Sequence, residues 1–229
     1  MLPIRDLNPS RTRPVVNVLL IAANVLVFFF ELSLGPRLEG FLMASAFVPA
    51  RAFEGGGAAL VTSALLSMFL HGGWGHLLGN MLFLWIFGDN VEDRLGHVRY
   101  LFFYLLCGYA ATFAHAFFNA GSSMPAIGAS GAISGVLGAY LFLYPTARIV
   151  TVIWLFIFVR FVEIPALVYL PFWFLLQFFS GVQSLRAADP AMGGGVAWFA
   201  HIGGFIAGPI LLLLFGGFRR RRPASQLRW

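Results

Sequence analysis

The chain has 229 residues, 59% of them hydrophobic and 10% charged, with a mean hydropathy of +0.84. One soluble core of this length does not need so much apolar material, so an ordinary water-soluble domain is excluded and an integral membrane protein is expected. The formal net charge of +6 comes from arginines alone, and these gather at the ends of apolar runs rather than along one polar face, which argues against a nucleic-acid partner.

Arg5, Arg11 and Arg13 precede the first apolar run, Val15 to about Leu34, which is about 20 residues long and matches a spanning helix rather than a cleaved signal sequence. The arginines should hold residues 1–14 in the cytoplasm. A long outer loop is expected over about 35–74. Its centre, Phe41 to Leu70, carries Pro49, Arg51, Glu54 and Gly55-Gly56-Gly57 and reads as partly immersed in the headgroups. Further spans follow at about 75–92, 98–118, 130–145, 163–182 and 196–217, making six with the first. Arg160, Glu163, Pro165 and Pro171 interrupt the apolar stretch after Arg148, so its first half is expected to lie along the interface before the fifth helix enters. Arg94, Arg99, Arg148, the Arg219 to Arg222 block and Arg228 fall on the same side as the N-terminus. The expected fold class is therefore an all-α integral membrane bundle with both termini cytoplasmic, a domain over 15–217, a cap loop over about 183–195 and a basic tail over 218–229.

In that arrangement the second, fourth and sixth helices run the same way, and their first turns share one depth. His71, His76 and Asn80 lie at the start of the second, Ser130 opens the fourth, and His201 lies near the start of the sixth. Polar and ionisable residues inside a membrane point to function. A serine hydroxyl becomes nucleophilic when a base takes its proton, and histidine suits that work, so Ser130 and His201 form a candidate pair. Gly131, Gly135 and Gly138 on one helix and Ala200, Gly204 and Gly208 on the other provide small faces for a close approach, although such rows by themselves mean only packing. His76 and Asn80, four residues apart, share a helix face and can aim two N–H donors at one oxyanion; the Ser130 amide, free at a helix start, adds a third. Gly128 and Gly131 leave room for a substrate backbone. Asn80 could equally serve as interhelical glue.

No acid is well placed as a third member. Asp189 falls in an outer loop, Glu31, Asp89, Glu92 and Asp93 are expected nearer the opposite membrane face or at a remote helix end, and Glu163 is expected to start the fifth helix paired with Arg160. A dyad is preferred over a triad. His71, His76 and His201 could supply three metal nitrogens, but no HExxH motif or accompanying carboxylate supports a metal, and no cofactor is expected. Cys107 sits alone within an apolar span and reads as a packing residue.

His71-Gly-Gly-Trp-Gly-His76-Leu-Leu-Gly-Asn80, Gly128-Ala-Ser-Gly131 and Ala200-His-Ile-Gly-Gly204 with Gly208 together resemble the rhomboid family of intramembrane serine proteases in motif, order and spacing. The segment GDNVEDRLGHVRYLFFYLLCG also resembles prokaryotic members. The similarity runs from about residue 10 to about 217. It implies a six-helix core that cleaves transmembrane protein substrates through an acyl-enzyme, without metal. Ser130 would be the nucleophile, His201 the general base, His76, Asn80 and the Ser130 amide the oxyanion hole, and His71 a supporting residue. The cap loop would control access and the fifth helix would be a lateral gate. Some members carry an aromatic residue one turn after the nucleophile, where this chain has Ser134, so another side chain must orient His201. The tryptophan-arginine pair that some members have in the first outer loop is not evident here.

The sequence style suggests a prokaryotic plasma membrane, with lipids as partners and the Arg219 to Arg222 block as a topology anchor. A substrate segment that unwinds cheaply, rich in glycine, proline or small residues, is expected, because helical peptide bonds are shielded by their own hydrogen bonds. The competing reading is a non-enzymatic membrane module, a binder of transmembrane segments or a small transporter, in which Ser130 would be unreactive. The sequence leaves oligomeric state and physiological substrate open.

Overall fold

The computed structural model describes residues 1–52, 56–155, 158–186 and 197–216. Glu54, Gly55, Asp189, most of the expected cap loop and the basic tail lie outside the described residues. In chain order come β1 (Leu2–Asp6), α1 (Val15–Ser33), α2 (Leu38–Ser45), α3 (Gly56–Ser67), α4 (Trp74–Leu95), α5 (His97–Phe118), α6 (Ser130–Leu143), β2 (Arg148–Leu155), β3 (Phe158–Pro165), α7 (Ala166–Arg186) and α8 (Trp198–Leu214). Single 3-10 turns at Gly35–Arg37 and Pro49–Arg51 punctuate the outer connection.

Six longer helices form the bundle. Among the described residues, α1 and α5 are each long and apolar enough to cross a membrane; α6 and α8 are apolar but shorter, at 14 and 17 residues. The molecule is apolar on both sides of its helices. Leu84, Phe87, Val91, Phe103 and Leu137 fill the centre, while Leu19 (61% exposed), Leu26, Phe29, Trp85, Phe102, Phe142 and Ile210 face outward. When the surroundings are as apolar as the core, hydrophobic transfer no longer drives helix association, and close packing takes over. The α6–α8 contact shows how: a Cβ at Gly204 would fall on the carbonyl oxygen of Gly131, and one at Gly208 on that of Gly135. A Cβ at Gly138 would meet the Phe205 carbonyl, and one at Gly135 the Cys107 sulfur. The two backbones touch without side chains between them.

The end of the bundle near the N-terminus is tied by hydrogen bonds. Helix α1 has no side-chain cap of its own; instead Glu92 of α4 accepts from the Val16 amide at 2.9 Å and the Asn17 amide at 2.7 Å. A carboxylate there satisfies free first-turn amides and complements the helix dipole. Asp93 accepts from the amide and hydroxyl of Thr12, Tyr100 donates to Asn17 Oδ1 at 2.8 Å, and Asn17 donates to the Leu84 carbonyl. Gly96, at φ +81°, is the single residue between α4 and α5, and its left-handed backbone lets the chain reverse at once.

Two departures from the sequence reading concern the strands. An all-α chain was expected, yet β1, β2 and β3 form an antiparallel sheet in that order, with Leu2 opposite Val152 and Arg148 opposite Pro165. The run after Arg148 is rich in β-branched residues, which favour extended backbone. Trp154 (74% exposed), Phe158 and Phe161 project from this sheet. Glu163 accordingly lies in β3 rather than at a helix start, and its ion pair is with Arg148 on the neighbouring strand, at 3.3 Å, rather than with Arg160. Pro171 lies inside α7 and does not interrupt it. The expected outer loop is also partly helical, folding as α2 and α3.

Candidate active site

Helices α4, α6 and α8 begin at the end of the bundle opposite the sheet, and their first turns surround one cavity of about 570 Å³. His76 and Asn80 line it from α4, Ser130 and Ser134 from α6, Trp173 and Gln177 from α7, and His201 from α8. Ile127, Ile133, Leu137 and Phe83 supply apolar walls.

Ser130 Oγ lies 2.7 Å from His201 Nε2, although 71 residues separate them in sequence. The glycine contact between α6 and α8 brings them this close. His201 is 9% exposed, and its other ring nitrogen, Nδ1, lies 2.7 Å from Gln177 Oε1. An Nδ1–H donating to that amide oxygen leaves Nε2 as acceptor for the serine hydroxyl. The indole of Trp173 lies 6.0 Å from the imidazole, tilted by 36°, and Trp198 meets it edge-on at 6.0 Å. Ser134 donates its hydroxyl to the Ser130 carbonyl at 2.6 Å and makes no ring contact with the base.

Across the cavity, a second chain of hydrogen bonds orients α4. His71 Nδ1–H donates to the Phe69 carbonyl at 3.1 Å, which leaves Nε2 to accept from the Asn80 amide at 3.0 Å. One Asn80 hydrogen is thereby used and the other is left for the cavity. The Gly72 amide donates to His76 Nδ1 at 3.4 Å, so the His76 proton sits on Nε2. That nitrogen points to Gly128: a Cβ there would lie 2.6 Å from His76 Nε2 and 3.6 Å from Asn80 Nδ2. Gly128 also has φ +119°, a backbone that side chains disfavour, and its amide donates to the Ser67 carbonyl. Position 128 thus requires glycine twice over. Gly131, the next glycine, sits against Ala111, where a Cβ would come within 2.6 Å.

The structure therefore brings Ser130, His201, His76 and Asn80 around one cavity, sets His71 behind Asn80 and Gly128 against His76, and uses Gly131, Gly135, Gly138, Gly204 and Gly208 where α6 meets its neighbours. Glu31, expected at a remote helix end, instead accepts from the His71 amide at 3.1 and 3.2 Å and thus fixes the entry to α4. Among the described residues no group of three or more His, Cys, Asp or Glu side chains could hold a metal. Gln177 and Trp173 escape the sequence reading. A lone amide in the phenylalanine-rich run Phe172 to Phe179 was the available signal.

Comparison with known proteins agrees with the motifs. The profile of the Rhomboid domain matches residues 59–218. The yeast Saccharomyces cerevisiae protein named Rhomboid protein 1, mitochondrial, is 28% identical over 179 residues, covering 73% of this chain and 46% of the relative. Rhomboid protease GluP of Bacillus subtilis is 36% identical over 136 residues, covering 57% of this chain and 25% of the relative. The bovine (Bos taurus) presenilin-associated rhomboid-like protein, mitochondrial, is 29% identical over 198 residues, covering 82% of this chain and 45% of the relative. The chain thus spans less than half the length of these relatives. Mitochondrial and bacterial proteins both match, so the expected prokaryotic plasma membrane gains no support from them. The glycine-sealed helices, the serine–histidine contact and the profile match lead to one assignment: the chain belongs to the rhomboid family of integral membrane proteins.

Proposed function

We propose that the chain is an intramembrane serine endopeptidase that cleaves transmembrane segments with a Ser130–His201 dyad. The observation that carries this reading is the 2.7 Å approach of Ser130 Oγ to His201 Nε2 within a cavity large enough to admit a peptide. In the first step the Ser130 proton passes to His201 Nε2 while Oγ bonds to the scissile carbonyl carbon, and the carbonyl electron pair moves onto its oxygen. Nε2–H of His76, the free Asn80 N–H and the Ser130 amide at the first residue of α6 stabilise that oxyanion. His201 then gives its proton to the amide nitrogen, the C–N bond breaks, and the amine fragment leaves an acyl-enzyme on Ser130. Water repeats the sequence, with His201 taking its proton and returning one to Oγ.

His71 supports Asn80, and Gly128 keeps the oxyanion position open. Six spans, α1 and α4 to α8, accommodate the bundle, with both termini on the arginine-rich cytoplasmic side. The substrates are membrane proteins whose segments unwind locally, with a small residue before the scissile bond because the glycine-lined entrance at Gly128 leaves little room. A fluorophosphonate probe tests the reading directly: it should label the wild-type chain in detergent and fail on Ser130→Ala. Equal labelling of both, or none of the wild type alongside no cleavage of a glycine-containing transmembrane peptide, would refute it.

A further inference from the structure

We infer that Gln177 is the positioning residue of the base, holding His201 in the tautomer that accepts the serine proton, and that this makes the base dependent on the seating of α7. The inference rests on the serine-protease reading above. A neutral imidazole carries one N–H, and Ser130 can be activated only when that hydrogen is on Nδ1 and Nε2 is bare. In a ring 9% exposed, an Nδ1–H needs a protein acceptor, and Gln177 Oε1 at 2.7 Å supplies it. Without an acceptor at Nδ1 the opposite tautomer gains, Nε2–H points at the serine oxygen, and proton transfer has nowhere to go. In a serine–histidine–aspartate triad a carboxylate performs this function. Here a neutral amide does so, which fixes the tautomer without bringing a buried charge into the membrane.

Trp173 and Gln177 are four residues apart and thus lie on one face of α7, and both reach His201. Apart from Ser130 itself, α6 gives the ring no hydrogen bond, because the Ser134 hydroxyl is spent on the Ser130 carbonyl. Helix α7 is an outer helix: it packs on α8 and touches α6 lightly, while Phe172, Leu175, Leu176 and Phe179 face outward. A shift of α7 by about 1 Å away from α8 would stretch the 2.7 Å bond beyond hydrogen-bonding range. The seating of an outer helix therefore sets the protonation pattern of the base.

Two substitutions test this in the purified full chain: Gln177→Met, which keeps the length and lacks an acceptor, and Gln177→Glu, which offers only acceptors. The Met variant should lose about 10- to 100-fold in kcat, the size of one hydrogen bond to a group that gains charge, with KM for a transmembrane peptide unchanged. Fluorophosphonate labelling should slow in parallel, and 15N spectra of the histidine-labelled protein should show the His201 proton leaving Nδ1. The Glu variant should restore most of the rate. If wild type neither labels nor cleaves, the protease reading itself falls. If wild type does both and the Met variant matches it in kcat, labelling rate and tautomer, this inference alone is overturned. A Met variant that is slow but keeps the wild-type tautomer would assign Gln177 to packing and overturn it equally; that spectrum decides even where the Glu variant does not fold.

Discussion

The two ends of the bundle both bury polar side chains among apolar ones, and they treat them differently. Near the sheet, Asn17, Glu92, Asp93 and Tyr100 are bonded to one another, to Thr12 or to backbone, Asn90 donates to Asp6 and Asp89, and Glu92 by itself receives Val16, Asn17 and His97. At the other end, Ser130, His76 and Asn80 each keep a hydrogen-bonding direction aimed into open space, and a cavity of about 570 Å³ remains between them. A saturated polar network contributes rigidity and offers nothing to a ligand. An unsaturated one costs stability and keeps donors available for a charge that develops later. The distinction lies in what the partners leave unused, since residue types at the two ends overlap.

Substitutions at the two ends should therefore separate activity from stability. The largest effect is expected from Ser130→Ala, which should lower kcat by at least about 10⁴-fold while the thermal unfolding midpoint in detergent stays put. Asn80→Ala comes next: on the proposed reading it removes one oxyanion donor and should lower kcat by about 10²- to 10³-fold with KM little changed. That variant also strands His71 Nε2, so a small fall in the unfolding midpoint should accompany the rate loss. At the saturated end the pattern should invert. Glu92→Ala removes the acceptor for two α1 amides and should cost about 2–4 kcal/mol in denaturant titrations, with kcat of the folded fraction unchanged. If it lowered kcat first, the contrast between the ends would fail.

The smallest effect concerns Asp6. Burial foremost, with the nearby Asp89 carboxylate adding to it, pushes the Asp6 carboxyl from 3.8 up to about 6, against the opposing effect of the Tyr140 hydroxyl donating at 2.5 Å. A carboxyl with a raised pKa binds its proton more tightly in the folded chain than in the unfolded one. Its contribution is thus fully present below about pH 4 and is lost as pH rises through about 6. The wild-type unfolding midpoint, compared with that of Asp6→Asn, should fall across that window and run parallel to it above. A difference that grows in the opposite direction would mean that the ionised carboxylate is the favoured partner of Tyr140.

Much of the site could be grouped from sequence because alternate helices of a membrane bundle start at the same face, and because Ser130, His201, His76 and Asn80 each stand out in an apolar run. The glycine rows that bring α6 to α8 were equally visible. Gln177 was not, because its role depends on how α7 is rotated about its axis, and a lipid-facing helix of phenylalanines and leucines carries no periodic signal that fixes rotation. The sheet was hidden for a different reason. Residues 148–165 are apolar on both faces, so the alternation that marks a half-buried strand is missing, and the partner strand Leu2–Asp6 lies more than a hundred residues away in sequence. Glu31 was misplaced because the distance from the end of α1 to His71 depends on the fold of the intervening α2 and α3.

Glu92, which closes the first turn of α1, lies 76 residues after Val16. Synthesis therefore finishes α1 well before the acid that accepts from its first amides, and until α4 packs against it those amides have only water as a partner. The start of α1 is held by a long-range contact rather than by a local cap, so its fraying reports on the docking of α4.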